Sequence, residues 1–329
     1  MFAQKIMGAL CLMLHAWADG PLHVGVVLDK GGKDDRSFNA AACVGMLRAK
    51  NELGADVKIV EAIDDNAFEH LLRSFTQRSY DLIISVGVAQ TSAMKKMAQK
   101  FPEKHFMIVD GEIKAPNVRS VLFQEQEGSF LVGAIAAMTS QSNKIGFLGG
   151  MDIPIIRRFE MGYRCGARFV RPKIQVLTHF VGVTADAWNN PPKAKEIALT
   201  QYQMGADVIF GAAGASGAGI FDAAEHVKKF AIGVDSNQNW VKPGRILTSM
   251  EKRVDEVVFA AIKDAQKGHF QAGVFHLGLA QKGVGYSLDT YNQALITPTI
   301  KKEIDTLSKA IIAGTLKVPD FYVGDSCGP

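Results

Sequence analysis

The chain has 329 residues, of which 47% are hydrophobic and 21% are charged, a composition typical of a folded globular protein with room for two domains. Its formal net charge is only +4, and lysine and arginine are spread along the chain without a basic run beside aromatic residues. Nucleic-acid binding, which needs a concentrated positive surface, is therefore not expected.

Residues 1–18 have the pattern of a secretory signal peptide. Lys5 precedes an apolar run from Ile6 to Leu14, and Ala16-Trp17-Ala18 forms a small-x-small cleavage site. The apolar run is too short to span a membrane. We expect export to the periplasm or another extracytoplasmic compartment. A lipid anchor through Cys11 is the less favoured alternative, because the three residues before it match a lipoprotein signal poorly.

Between Val24 and Lys267, short apolar or β-branched runs alternate with longer stretches of helical period, which predicts ten strands and eight helices. This alternation is typical of parallel sheets that are covered by helices on both faces. Because ten strands are too many for one comfortable sheet, we predict an α/β protein of two doubly wound lobes. A ligand would then bind in the crevice between them, at the carboxyl ends of the strands.

The first predicted strand runs into the segment DKGGKDDRSFN, which has the layout of a phosphate-binding loop but carries three carboxylates, Asp29, Asp34 and Asp35. These carboxylates would repel phosphate. Asp29 and Asp35 could instead accept hydrogen bonds from a heterocycle or pair with an amine. For Asp35, which lies two residues before Ser37 at the predicted helix start, a helix cap is the competing interpretation.

Two aromatic residues are candidates for stacking on a ligand. Phe38 is placed at the start of the first predicted helix, between polar neighbours, where a stacking role and a core role fit the pattern equally well. Trp188 lies in the polar, proline-ended stretch TADAWNNPP, which offers no helix face to bury it. A tryptophan in such a loop usually contacts a ligand ring or a neighbouring domain.

Three residues near later strand ends complete the candidate site. The glycine cluster around Gly214 follows a strand but lacks the spacing of a dinucleotide-binding fingerprint, so we predict close approach of its backbone to a small ligand. Asp235 ends another strand and could accept hydrogen bonds from a sugar diol. Lys252 could donate to the same hydroxyls, although a solvated lysine at a helix start is the competing interpretation.

Motifs of enzymes have little support in the sequence. The chain lacks a P-loop frame, the closely spaced histidine pair of zinc hydrolases and a G-x-S-x-G nucleophile elbow. We therefore expect binding without catalysis, and neither a metal nor a cofactor.

The cysteines beyond the signal, Cys43, Cys165 and Cys327, form an odd set at wide spacing, which matches neither a disulfide framework nor a zinc motif. One bridge is compatible with the sequence. We expect Cys43 and Cys165 instead to be small apolar residues on buried helix faces.

Six segments, in order along the mature chain, carry a family resemblance. They are DKGGKDDRSFNAAACVGM, NVRSVLFQEQEGSFLVGAIAAM, KIGFLGGMDIPIIRRFEMGYRCGAR, ADVIFGAAGASGAGIFDAA, IGVDSNQ and LTSMEKRVDEVVFAAI. Together they resemble the basic membrane protein (BMP) family, the purine nucleoside receptor-like solute-binding proteins of ABC importers. The resemblance implies a monomer with a type I periplasmic-binding-protein fold and three hinge crossovers. It also implies an N-terminal lobe of residues 19–123 plus about 249–275 and a C-terminal lobe of 124–248 plus about 276–329.

The resemblance implies roles for individual residues as well. Asp29 and Asp35 would accept hydrogen bonds from the purine edge, and Phe38 and Trp188 would stack on its two faces. The positions that match ribose-binding residues of the family are Gly214, Asp235 and Lys252.

The implied partners are a purine nucleoside (adenosine, guanosine or inosine) and an ABC transporter permease. Because Trp188 stands where the family usually has Phe, riboflavin or another flat heterocycle is the alternative ligand. A periplasmic ligand sensor on the same fold is the alternative function.

Overall fold

The computed structural model describes residues 20–62, 64 and 66–327, so the predicted signal peptide and Cys11 lie outside the described residues. The strands of the described part are β1 (His23–Leu28), β2 (Asp56–Glu61), β3 (Leu82–Val86), β4 (His105–Val109), β5 (Val118–Phe123), β6 (Lys144–Met151), β7 (Gln175–Gly182), β8 (Val208–Ala212), β9 (Phe230–Asp235), β10 (Ile246–Lys252), β11 (Gly273–Leu277) and β12 (Val284–Tyr286). Its helices are α1 (Phe38–Leu53), α2 (Ala67–Thr76), α3 (Thr91–Lys100), α4 (Glu125–Thr139), α5 (Pro154–Val170), α6 (Pro191–Gln203), α7 (Gly217–Val227), α8 (Val254–Gln266) and α9 (Pro298–Ile312).

The strands form two six-stranded sheets. The first has the order β2-β1-β3-β4-β5-β11 and is parallel throughout. The second has the order β7-β6-β8-β9-β10-β12 and is parallel except for the antiparallel pair β10 and β12. In each sheet the winding direction reverses beside the lobe's first strand, β1 or β6, which is where ligands bind in doubly wound folds.

The chain passes between the sheets three times, from β5 to α4, from β10 to α8 and from β11 to β12. Helix α8 packs on α1 beside the first sheet, and α4 packs on α5 beside the second. The predicted fold is thereby confirmed: two doubly wound α/β lobes with three crossovers. The lobe limits drawn from the sequence stay a prediction; the one at about 249 falls inside β10, which runs on to Lys252.

All ten predicted strands and all eight predicted helices are present. Their sequences explain them: β3, for example, is buried along its whole length, as expected for an apolar strand with helices on both faces. The sequence interpretation missed β11, β12 and α9. Within the described residues, no helix combines the length and the apolar character needed to cross a membrane.

Helices α4 and α5 pack closely because glycines face the partner backbone. A Cβ atom added at Gly133 would collide with the carbonyl oxygen of Tyr163, and one added at Gly166 would collide with that of Phe130. This close approach fixes α5 against α4, the helix that the chain enters after its first crossover.

The expectation for Cys165 is wrong. Cys165, on α5, forms a disulfide with Cys327 across a sequence separation of 162 residues, because the C-terminal segment runs back along α5. Cys43 has a free thiol and is half-buried, and this burial raises its pKa to about 11.

Replacing both Cys165 and Cys327 by serine removes this cross-link. A disulfide that closes so long a loop contributes about 2–4 kcal/mol to stability, so we expect a lower midpoint of urea unfolding than for the unmodified chain. Reductant should lower the unfolding midpoint of the unmodified chain and leave the midpoint of the double variant unchanged. Cys43→Ala is the control and should respond to reductant like the unmodified chain. An unchanged midpoint in the double variant would contradict the cross-link.

Candidate functional site

A cavity of about 730 Å³ lies between the lobes, at the carboxyl ends of the parallel strands. All the residues that the sequence analysis selected line this cavity: Asp29, Asp35, Phe38, Trp188, Gly214, Asp235 and Lys252. The structure therefore brings the whole predicted set to one place. Their contacts with a ligand stay a prediction.

Asp29 is held at the end of β1 by local backbone bonds. Its Oδ1 accepts a hydrogen bond of 2.8 Å from the backbone N–H of Lys30, and its own N–H donates to Asn39 Oδ1 over 3.0 Å. On the other side it lies against Gly87, where a Cβ atom would come within 2.5 Å of Asp29 Oδ2. Because Gly87 also has a positive φ of 116°, only glycine suits this position beside the carboxylate.

Asp35 caps the N-terminus of α1. Its Oδ1 accepts from the N–H groups of Ser37 and Ala40, and its Oδ2 accepts from the backbone and the side chain of Asn39. Burial raises the pKa of Asp35, and these hydrogen bonds oppose that shift. These four bonds confirm a helix cap and use the acceptor capacity of a carboxylate, while the role of Asp35 as an acceptor for a base stays a prediction.

The two aromatic candidates come from different lobes. Phe38 is the first residue of α1 and is half-buried, with Lys252 Nζ 5.1 Å from its ring centroid. Trp188 ends a short 3₁₀ turn after β7, and a Cβ atom added at Gly150 would collide with its six-membered ring. Trp188 is thus half-buried against its own lobe rather than fully exposed, and it still lines the cavity.

Gly214 lies beside Trp188 in the second lobe. It has a φ of +57°, and a Cβ atom there would come within 3.2 Å of the Trp188 carbonyl oxygen. Both the left-handed backbone and the close neighbour favour glycine at this wall of the cavity.

Lys252 is buried at the end of β10, where only 2% of its side chain is exposed. Its Nζ lies 2.6 Å from Asp110 Oδ2 and 2.9 Å from Glu125 Oε1. Burial opposes its charge, but the carboxylates of Asp110, Glu125 and Asp235 outweigh that cost and raise the pKa of Lys252. The interpretation as a solvated lysine is therefore wrong.

Asp110 is a cavity residue that the sequence analysis did not select. It follows β4, has a φ of +68°, and its buried Oδ1 has no hydrogen-bond partner among the described residues. Burial raises its pKa, while Lys252 opposes the shift. A ligand donor could satisfy the open oxygen. The acid at a strand end in IVDGE is the signal that could have identified it.

Asp235 connects the two lobes across the cavity. It ends β9 with a φ of +64°, and its Oδ2 accepts a hydrogen bond of 2.5 Å from Ser37 Oγ of the first lobe. Burial raises its pKa to about 6, and Lys252 and the Ser37 bond oppose the shift.

Further contacts close the same edge of the cavity. Ser236 Oγ donates to the carbonyl oxygen of Ser37 over 2.9 Å, and Gln238 Nε2 donates to that of Arg36 over 2.8 Å. The Arg36 guanidinium also lies 5.6 Å from the Trp240 ring centroid. The described conformation therefore has its lobes in direct contact beside the predicted binding residues.

Comparison with known proteins gives this site a family. The model of the Bmp family, described as "ABC transporter substrate-binding protein PnrA-like", matches residues 22–320. The chain is 32% identical to the "ABC transporter nucleoside-binding protein BmpA" of Lactococcus lactis subsp. cremoris, over 91% of this chain and 89% of that protein. It is 33% identical to an uncharacterized lipoprotein of Pyrococcus abyssi, over 86% of this chain and 76% of that protein.

A solved structure agrees with this assignment. A solute-binding protein of an ABC transporter system from Aeropyrum pernix K1 superposes with a TM-score of 0.84 at 30% identity, covering 91% of this chain and 94% of that one. A match over 91% of this chain includes both lobes. The chain therefore belongs to the Bmp family of PnrA-like ABC transporter substrate-binding proteins.

Proposed function

We propose that this protein captures a purine nucleoside between its two lobes and delivers it to an ABC permease. The observation that carries the proposal is the composition of the interlobe cavity, which combines the rings of Phe38 and Trp188 with the carboxylates of Asp29, Asp110 and Asp235. Rings on two sides suit a flat base, and carboxylates suit its N–H groups and the sugar hydroxyls. The nucleoside-binding name of the Lactococcus relative supports the same class of ligand.

Each residue has a role in this proposal. Asp29 accepts from the base edge, with Asp35 holding the start of α1 in place beside it. Asp110 and Asp235 accept from the sugar hydroxyls. Lys252 directs its ammonium group at Asp110 and Glu125; because an ammonium has three N–H donors, one remains for a sugar oxygen.

The electrostatics of the cavity favour a nucleoside over a nucleotide. Lys252 is surrounded by more than one carboxylate. The pKa values of Asp110 and Asp235 are raised first by burial and further by neighbouring carboxylates such as Glu125, so negative charge is in excess here. A phosphate would add negative charge to this environment.

We infer that the protein acts as a monomer and binds its ligand without catalysing a reaction.

The proposed location is outside the cytoplasm, as for substrate-binding proteins of ABC importers. The lipoprotein name of the Pyrococcus relative favours attachment to the membrane surface. For this chain, Cys11 is the candidate for the lipidated residue, although the signal-peptide cleavage site before Asp19 remains our preferred prediction.

Trp188→Ala tests the stacking of the base. A base–aromatic stack contributes about 1–3 kcal/mol, so nucleoside binding should weaken about tenfold or more. Calorimetry on residues 19–329 with guanosine, adenosine, inosine, riboflavin and GMP measures it, and GMP should not bind. Phe169→Ala removes an exposed ring outside the cavity and should leave affinity unchanged. Equal affinity of the Trp188 variant and the unmodified chain would contradict the stack; riboflavin binding without nucleoside binding would replace the ligand.

Asp110→Asn tests whether Asp110 Oδ1, which has no hydrogen-bond partner among the described residues, accepts a hydrogen bond from the ligand. A hydrogen bond to a charged group contributes about 1.5–3 kcal/mol, so we expect the nucleoside dissociation constant to rise about tenfold or more. Asp34→Asn is the matched control, because Asp34 is exposed and paired with Lys33 at the surface. If both variants bind nucleoside like the unmodified chain, Asp110 is not a ligand residue.

Nucleoside affinity should depend on pH through Asp235. Its pKa is raised from 3.8 to about 6, so its contribution to the stability of the ligand-free protein is fully present below the unfolded value and is lost as the pH rises through about 6. A ligand donor on the ionised carboxylate opposes protonation, so affinity should fall from about pH 8 to about pH 5. Dissociation constants at both pH values check this, and Asp235→Asn should weaken the dependence, leaving the part due to Asp110, whose pKa is raised to about 7. A pH-independent affinity in the unmodified chain would refute it.

A further inference from the structure

A row of alternating charges joins the C-terminal segment to the cavity. Asp110 Oδ2 lies 2.6 Å from Lys252 Nζ, which lies 2.9 Å from Glu125 Oε1. Glu125 Oε2 lies 3.1 Å from Arg158 Nη1, and the guanidinium of Arg158 donates to both oxygens of Asp320 over 2.9 and 2.6 Å. We call these five residues the salt-bridge chain.

The inner members of the salt-bridge chain are buried. The exposed fractions of the Glu125 and Lys252 side chains are 2%, and that of Arg158 is 7%. Asp320 is the outermost member at 19%. A buried charge that loses its partner is strongly unfavourable, so a change at one end forces the next member to find new partners.

The salt-bridge chain also holds two of the three crossovers. Glu125 begins α4 directly after β5, and Lys252 ends β10 directly before α8. Arg158 adds a hydrogen bond of 2.5 Å from Nη1 to the carbonyl oxygen of Phe123, the last residue of β5. The backbone segments about which the lobes would move are thus attached to side chains on α5 and in the C-terminal segment.

In the C-terminal segment after α9, residues 313–327, Leu316, Val318 and Cys327 pack against the core, but the turn after Asp320 adds little apolar burial. Tyr322 and Val323, in the 3₁₀ turn after Asp320, are 54% and 72% exposed. This turn is held by the bidentate pair of Asp320 with Arg158, by a 4.9 Å approach of that guanidinium to the Tyr322 ring, and by the disulfide through Cys327.

We propose that Asp320 is a positioning residue for the binding cavity: by holding Arg158, it sets Glu125 and Lys252 and thereby the two crossovers and the open oxygen of Asp110. It makes no contact with the cavity itself. The effect on ligand affinity rests on the proposed nucleoside function, whereas the effect on the crossovers does not.

Asp320→Asn is the test, with Asp152→Asn as the matched control. Asp152 forms the same bidentate pair with the neighbouring arginine of α5, Arg157, over 2.6 Å for both bonds, but at the surface. Hydrogen exchange of the ligand-free full chain is measured at the crossover segments 123–127 and 252–256. Exchange there should become about fivefold faster or more in Asp320→Asn and stay unchanged in Asp152→Asn.

Calorimetry with the nucleoside panel provides the second measurement. The dissociation constant should rise about tenfold in Asp320→Asn and change less than about twofold in Asp152→Asn. Asp320→Glu, which keeps the charge, should recover part of both effects and serves as the folded variant if Asp320→Asn is too unstable to purify.

The outcomes separate the two ideas. Unchanged exchange at the crossovers in Asp320→Asn overturns the inference, as does an unchanged dissociation constant where the unmodified chain binds a nucleoside. Faster exchange at the crossovers together with no nucleoside binding by the unmodified chain supports the inference and rejects the proposed ligand.

Discussion

The ammonium group of Lys252 is buried beside two crossovers, and a buried ammonium is stable only while carboxylates compensate it. Asp110 reaches it from the end of a first-lobe strand, and Glu125 reaches it from the first turn of α4. One ion therefore ties β4, β10 and α4 together at the point where the lobes meet. The carboxylates around this ammonium outnumber it, so the electrostatic potential of the cavity is negative. Such a potential suits a neutral ligand that is rich in hydrogen-bond donors.

Most of the fold was predictable because strands that are covered on both faces must be apolar over their whole length, and the helices between them must carry one apolar face. Strand β11 escaped because its residues are only partly buried at a sheet edge, and β12 because it is three residues long. Helix α9 had usable signals: Thr297 caps it, Pro298 opens it, and its buried face recurs at helical spacing.

The cavity residues were predictable for a topological reason: the carboxyl ends of parallel strands converge, so acids at those ends must meet. What the pattern left open was the use of each acid. Asp35 turned out to cap α1, and Asp110 was overlooked although it ends a predicted strand. Contacts such as Ser37 with Asp235 join residues that are 198 positions apart, and no local pattern encodes such a pair.

The bond between Cys165 and Cys327 has a consequence for the maturation of the molecule. Disulfides form and persist in oxidising compartments and are rare in the reducing cytosol. Until that bond forms, non-covalent contacts such as the pair of Asp320 with Arg158 hold the end of the chain on α5. At the proposed location outside the cytoplasm, the bond would form in the same compartment in which the solute is captured.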